Sequence, residues 1–300
     1  MLRPRSLLPL FAFFTLLSIS LFAQKDDEII TVDSSIVLVN AAITDKSGKA
    51  VSGLTANLFK VFEDGVEQKI ETFAAEETSF AAVILIDTSG SMDSRLSLAR
   101  SATITFLDGL RVNDNAAIYQ FHSKVEMVQD FSNSRDIVES IYDLKADGMT
   151  VFNDAVFRAA EILAARKEKR RAIILLSDGV DTISNRSPDK ALKAANAAGA
   201  TIYTIDMSLP EASWKEKAQN QATLKSFAEK TGGTFVAAPG GPAMREAFRK
   251  IVEELGSQYT LAYQPKEHKK DGKFHSIEVQ VSQPNLTIRT RKGYYSAKSK

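Results

Sequence analysis

The chain of 300 residues contains no cysteine. That excludes disulfides, thiol nucleophiles, thiolate zinc sites and a lipid anchor on Cys. Histidine is almost as scarce. His122, His268 and His275 are the whole supply, too few for a triad or a His-rich metal centre, and each reads as a structural or surface residue. Charge of one sign is also lacking: 38 Lys and Arg stand against 37 Asp and Glu, for a net of +1. With no basic stripe interleaved with aromatics, that balance argues against nucleic-acid binding. A Gly-rich phosphate loop ending in Lys-Ser/Thr is missing, and so is a G-x-S-x-G nucleophile elbow. No enzyme is expected from such an inventory. The densest basic run, "RKEKRR" from Arg166 to Arg171, reads as a solvated helix end, where positive charge suits the helix dipole.

Long apolar runs are confined to the N-terminus. "MLRPRSLLPLFAFFTLLSISLFAQKDDE" places Arg3 and Arg5 before an apolar stretch from Leu7 to Phe22 and turns polar at Gln24. This is the layout of a secretory signal peptide with Ala23 as the last residue before cleavage, although Leu21 is larger than the usual small residue at its position. Removal of Arg3 and Arg5 with it would take the net charge from +1 to −1. A secreted or periplasmic location follows as an expectation. The alternative is an N-terminal membrane anchor, for which the run is slightly short and interrupted by Pro9.

What remains divides by periodicity. Residues 34–74 alternate like β-structure, with Asp64-Gly65 as a hairpin tip. From residue 80 to 255, continuous apolar strands alternate with amphipathic helices. The strands are "AAVILID", "NAAIYQFHS", "RAIILLSDG", "TIYTIDM" and "TFVAA", with "KVEMVQDF" at an edge. Helices are expected around Arg95–Leu110, Ser134–Leu144, after "DGMT", over "SPDKALKAANAAGA", over "ATLKSFAEKTGG" and from Ala243 to Leu255. Such alternation predicts an α/β fold, doubly wound, with a mostly parallel sheet covered by helices on both faces. Residues 256–300 return to β-patterning and are expected to pack with 34–74 as an accessory β-module, because neither piece alone has enough strands. The domain plan is therefore a signal at 1–23, an N-terminal β segment at 24–79, the α/β domain at 80–255 and a C-terminal β segment at 256–300.

The strand "AAVILID" runs straight into "TSGSMDS", which sets Asp87, Ser89 and Ser91 on alternate positions. In an open parallel sheet, ligands bind at the carboxyl ends of the strands near the point where strand order reverses. "RAIILLSDG" delivers Asp178 to that edge, and the loop "DGMT" delivers Thr150. These five hard-oxygen groups suit Mg2+, which takes oxygen ligands in near-octahedral geometry and retains water. Ordinary readings exist for each group. Asp87 and Ser89 could cap the following helix, and Asp178 could make an Asx-turn. Asp154 reads as a group that holds the second loop, Asp181 as a surface turn, and Trp214 and the pair Tyr294-Tyr295 as packing residues.

"DTSGSM", then "GMT…FNDAV", then "LLSDG" resembles the von Willebrand factor type A domain with an intact metal-ion-dependent adhesion site. Asp87, Ser89 and Ser91 match its Asp-x-Ser-x-Ser, Thr150 the Thr of its second loop, and Asp178 the Asp of its third. The resemblance covers about residues 80–255. It implies a six-strand sheet with one antiparallel edge strand. It also implies Mg2+ or Mn2+, ahead of Ca2+, with a vacant position that takes an Asp or Glu carboxylate from a protein partner. The flanks, "ITDKSGKAV…LFKVFEDGVEQKIETF" and "GKFHSIEVQVSQPNLTIRTRKGYY", resemble a bacterial exported subgroup of these proteins. The expected function is metal-dependent, adhesion-type protein binding. The alternatives are a non-catalytic subunit that recruits or regulates an envelope enzyme complex, and an envelope structural protein whose metal stabilises loops. Contact with a membrane is expected only if the signal segment stays attached.

Overall fold

A computed structural model describes residues 36–75, 78–133, 139–209, 211, 213–237, 240–267 and 270–297. The signal segment, His268 and Pro239 lie outside the described residues. The N-terminal flank supplies β1 (Val37–Thr44), β2 (Phe59–Glu63), β3 (Val66–Gln68) and β4 (Ile70–Ala74). The middle of the chain supplies β5 (Phe80–Asp87), α1 (Leu96–Asp108), β6 (Asn115–Phe121), β7 (Val125–Ser132), α2 (Phe152–Ala164), β8 (Arg170–Ser177), α3 (Pro188–Ala197), β9 (Ala200–Asp206), α4 (Trp214–Thr231), β10 (Phe235–Val236) and α5 (Gly241–Ser257). The tail adds β11 (Tyr259–Tyr263), β12 (Phe274–Val281), β13 (Thr287–Arg289) and β14 (Gly293–Tyr295).

The middle strands form one six-stranded sheet in the order β10-β9-β8-β5-β6-β7. All pairs are parallel except β6 with β7 at the edge. The reason lies in β5, whose eight residues are all buried. Ala82, Ile84 and Ile86 face one apolar layer with Phe106 of α1 and Phe248 of α5. Ala81, Val83 and Leu85 face the other, with Phe152 and Val156 of α2, Leu192 of α3 and Phe227 of α4. A strand apolar on both faces is stable only between two helical layers. The rings interlock edge to face, Phe106 on Phe248 at 6.3 Å and Phe152 on Phe227 at 5.2 Å between centroids. Capping sets the helix ends. The Ser187 hydroxyl accepts from the Lys190 N–H ahead of Pro188, and Gly232 closes α4 at φ +83°.

The two flanks fold together into two antiparallel four-stranded sheets, β13-β1-β11-β4 and β14-β12-β2-β3. Tail strand β11 lies between β1 and β4, and tail strand β12 pairs with β2. Inward residues of both sheets, among them Val39, Val61, Tyr259, Leu261, Ile277 and Val279, make a third core. At the β2–β3 hairpin, Asp64 (φ +48°) and Gly65 (φ +80°) both adopt left-handed conformations, as a two-residue type I′ turn requires.

Two expectations need correction, and a third is met only in part by the described residues. Residues 134–138 of the helix expected at Ser134–Leu144 lie outside the described residues, and the described remainder holds one 3-10 turn, Glu139–Ile141. Ile141 and Leu144 are buried against the α1 side of the core, and one turn suffices to seat them. Trp214 does not pack: it is 85% exposed at the first turn of α4. The basic run is not a solvated helix end either, since α2 stops at Ala164 and the run leads into β8. Arg170 is fully buried. Its guanidinium donates to the carbonyls of Ala75, Thr78, Leu255, Gly256 and Gln258 and to the Thr260 hydroxyl. These groups lie on the two crossings between the α/β unit and the flanking sheets, which Arg170 joins. Replacing it leaves buried carbonyls without donors. Arg170→Met is expected to lower the unfolding free energy by about 3 kcal/mol, and exposed Lys169→Met to change it by less than about 0.5 kcal/mol. Urea titrations of the two variants check this.

Candidate functional site

Strand order reverses at β5, because the chain passes from β5 to β6 on one side and returns through β8 on the other. The crevice at the carboxyl ends of β5 and β8 is therefore the place for a ligand. Asp87 ends β5, and Asp178 follows the last residue of β8. Backbone hydrogen bonds lace the loops above these ends. The Thr88 N–H donates to the Phe121 carbonyl at 2.8 Å, the Asp147 N–H to the Thr88 carbonyl at 2.9 Å, and the Gly90 N–H to the Gly148 carbonyl at 3.2 Å. The second and third loops meet through Thr150. Its N–H donates to the Thr182 hydroxyl at 2.7 Å, and its carbonyl accepts from the Thr182 and Ile183 N–H groups.

Asp87 is fully buried. One carboxylate oxygen accepts from the Ser89 N–H (2.9 Å) and the Ser89 hydroxyl (2.6 Å), and the other from the Ser177 hydroxyl (2.6 Å). The Ser89 and Ser91 hydroxyl oxygens lie 3.2 Å apart. Burial pushes the Asp87 carboxyl up to about 7, against the hydrogen bonds from Ser177 and Ser89, and the negative charge of nearby Asp178 adds to the rise. Ser89 is buried, Ser91 exposed and Asp178 half-buried, so the cluster opens to solvent on its Ser91 and Asp178 side. Thr150 is buried, and the contacts that fix it run through its backbone. The structure thus joins Asp87, Ser89 and Ser91 by side-chain contact, sets Asp178 within electrostatic reach of Asp87, and ties Thr150 to the third loop.

The capping alternative does not hold for Asp87 and Ser89. A 3-10 turn, Gly90–Arg95, intervenes before α1, and the Ser89 side chain caps neither. Asp178 does make the Asx-turn, accepting from the Val180 N–H at 3.1 Å. Asp154 holds the neighbouring loop, accepting from the Asn185 and Arg186 N–H groups at 3.0 Å each. Asp181 does more than occupy a surface turn: it accepts from the Phe152 N–H and the Asn153 amide, fastening the third loop to the start of α2. Ser177 and Asp206 went unread in the sequence. Ser177 precedes Asp178 in "LLSDG", and a hydroxyl adjacent to that carboxylate was the available signal. Asp206 ends β9, buried, where it accepts from the Ser208 N–H and the Gln221 amide.

The donor set fits a hard dication. A buried carboxylate needs a compensating partner, and among the described residues Asp87 meets hydroxyls, an amide and a second carboxylate rather than a cationic side chain. Two carboxylates with hydroxyls are the oxygen ligands that Mg2+ or Mn2+ takes.

Residues 82–180 match the family model of the von Willebrand factor type A domain. No curated protein matches the chain. Among solved structures, three N-terminal domains of the type V pili tip protein Mfa5 from Porphyromonas gingivalis align at TM-score 0.50 and 13% identity, over 88% of this chain and 67% of that one. The D319A mutant of the PilB minor pilin from Streptococcus sanguinis aligns at TM-score 0.48 and 16% identity over 59% of this chain, and the alignment spans 62% of that protein's length. A von Willebrand factor type A protein from Catenulispora acidiphila aligns at TM-score 0.48 and 14% identity, over 82% of this chain and 76% of that one. The matched residues lie within the α/β unit, to which the flanks add two antiparallel sheets.

The third loop depends on Gly179. It sits at φ +84°, and a Cβ there would lie 2.7 Å from the Asn220 carbonyl oxygen of α4. Gly199 has a similar φ, +64°, with open space around it. Gly199→Ala is expected to cost about 1 kcal/mol from backbone strain alone, and Gly179→Ala about 2 kcal/mol or more. Thermal unfolding of the two variants side by side checks the order.

Proposed function

We propose that the chain is an exported, metal-dependent, adhesion-type protein-binding module. Asp87, Ser89, Ser91, Thr150 and Asp178 hold Mg2+ or Mn2+, directly or through water, and the metal takes an Asp or Glu carboxylate from a protein partner. The observation that carries this reading is the buried Asp87 carboxylate. It ends a core strand among hydroxyls and beside Asp178, at the reversal point of the sheet, under a solvent-facing rim. When bound, the metal supplies positive charge and an open coordination position. The protein's own residues do the rest. Ser177 and Ser89 fix the Asp87 carboxylate, and Asp181 and Asp154 hold the third loop against α2. Met149 and Ile183, on either side of Thr150 in this loop pair, are 53% and 39% exposed. They offer apolar contact beside the polar centre, as protein interfaces commonly do.

Export rests on the N-terminal "MLRPRSLLPLFAFFTLLSISLFA". Among the described residues, no helix is long and apolar enough to cross a membrane. Binding, rather than catalysis, suits a centre of hydroxyls and two carboxylates in which each named group serves to hold charge or a loop.

The test is retention of partners from an envelope or culture-medium extract by the immobilised chain. Three arms are compared: the wild type with Mg2+, the wild type with chelator, and Asp87→Ala with Mg2+. The expected result is a protein held only in the first arm and released by a short peptide bearing Asp or Glu. Melting curves are expected to show folded protein in all three arms. Equal capture in every arm overturns metal-gated binding. A large fall in melting temperature on chelation, with no peptide-sensitive capture, supports a loop-stabilising metal instead.

A further inference from the structure

A second cluster of ligand-type side chains lies in the flanking sheets, away from the Asp87 crevice. Glu63 ends β2, Asp64 opens the β2–β3 turn, and His275 lies in β12. One ligand atom from each, an imidazole nitrogen and one carboxylate oxygen apiece, lies within 4.8 Å of the others. The His275 Nδ1 is 2.8 Å from Asp64 Oδ2 and 3.9 Å from Glu63 Oε1. A tetrahedral Zn2+ with bonds of about 2.0–2.1 Å sets its ligand atoms about 3.3 Å apart, and the two distances bracket that edge.

Each ligand is already aimed by a second group. The other Glu63 oxygen, Oε2, accepts from the Tyr263 hydroxyl at 2.6 Å and the Tyr294 hydroxyl at 3.2 Å. The other Asp64 oxygen, Oδ1, accepts from the Ser276 N–H at 2.8 Å and its hydroxyl at 3.1 Å. The His275 Nε2 lies 3.4 Å from Asp271 Oδ1. Asp271 is itself fixed by the Ser296 hydroxyl and the Lys273 N–H. Metal-binding imidazoles characteristically give their second N–H to a carboxylate, and an ion here takes the place of the Nδ1 proton that now bonds to Asp64 Oδ2. Glu63 and His275 are buried while Asp64 is exposed, which gives an ion a way in.

We propose that Glu63, Asp64 and His275 form a second metal site, for Zn2+ or a similar first-row dication, with Asp271 as the positioning residue for His275. The ligand type separates it from the first site, because imidazole favours Zn2+ over Mg2+ where an all-oxygen set does not. The ion joins residues 211 apart in sequence, Asp64 and His275, and so closes the N-terminal flank onto the C-terminal one in a chain without disulfides. Metal binding then adds to folding free energy, and a metal clip that closes a long loop is where the entropic gain is greatest. This site does not depend on the carboxylate-capture reading.

Equilibrium dialysis against Zn2+ in saturating Mg2+, with metal analysis and melting curves, tests it on the purified chain. The wild type is expected to bind one equivalent of Zn2+ and to melt higher with it. His275→Gln and Glu63→Gln are each expected to lose that equivalent and the shift, and Asp271→Asn to weaken binding about 10- to 100-fold. Should His275→Gln fail to fold, Glu63→Gln decides, since its amide still meets the tyrosine hydroxyls. The proposal is overturned if the wild type binds no Zn2+, or if the bound equivalent survives Glu63→Gln or a folded His275→Gln. It is equally overturned if Asp87→Ala removes that equivalent and Glu63→Gln does not.

Discussion

A carboxylate at the end of a strand that is apolar on both faces has to be satisfied on the spot, because neither helical layer offers it water. Asp87 is in that position, and the surrounding loops are arranged around its needs. Ser89 folds back onto one oxygen, and Ser177 reaches the other from the adjacent strand. Even so, burial holds the carboxyl near 7, and Asp178 pushes in the same direction. The hydroxyls stabilise the charge without cancelling it. The metal-capture proposal rests on this geometry: a buried carboxylate met by hydroxyls, at the point where strand order reverses.

The α/β unit does not stand apart from its flanks. Insertion of β11 between β1 and β4 makes both ends of the described chain partners in one sheet. The crossings between that sheet and the α/β unit converge on Arg170, a buried cation that collects carbonyls from both. The Glu63–Asp64–His275 cluster joins the same two flanks on the second sheet. Polar groups at these places specify which strand pairs with which, where apolar packing alone would tolerate slippage.

Similarity to a solved structure at 13% identity and TM-score 0.50 speaks to fold alone. Function has to be argued from the site, since one fold carries many functions. The Asp87 crevice is the part of this molecule where residue chemistry and sheet topology coincide.

Much of the fold could be read from the chain. Unbroken apolar runs such as "AAVILID" can be satisfied only by burial on both sides, so the parallel, helix-covered sheet followed from pattern alone. Asp64-Gly65 specified its turn because few other pairs adopt two left-handed conformations cheaply. The placing of Asp87 and Asp178 at one edge was also legible, because the ends of neighbouring parallel strands share it. Other features depended on contacts between residues far apart in sequence. Arg170 looked like one of several solvent-facing basic residues until two crossings closed around it. Asp181 and Ser177 acquired roles only when the third loop met α2 and Asp87. His275, one of three scattered histidines, meets Asp64 through the pairing of β12 with β2, and no local pattern encodes that register. Local periodicity and turn chemistry act over a few residues and are written in the sequence. The partners of a buried polar group are chosen by which distant segments the core brings together, and only the tertiary structure decides that.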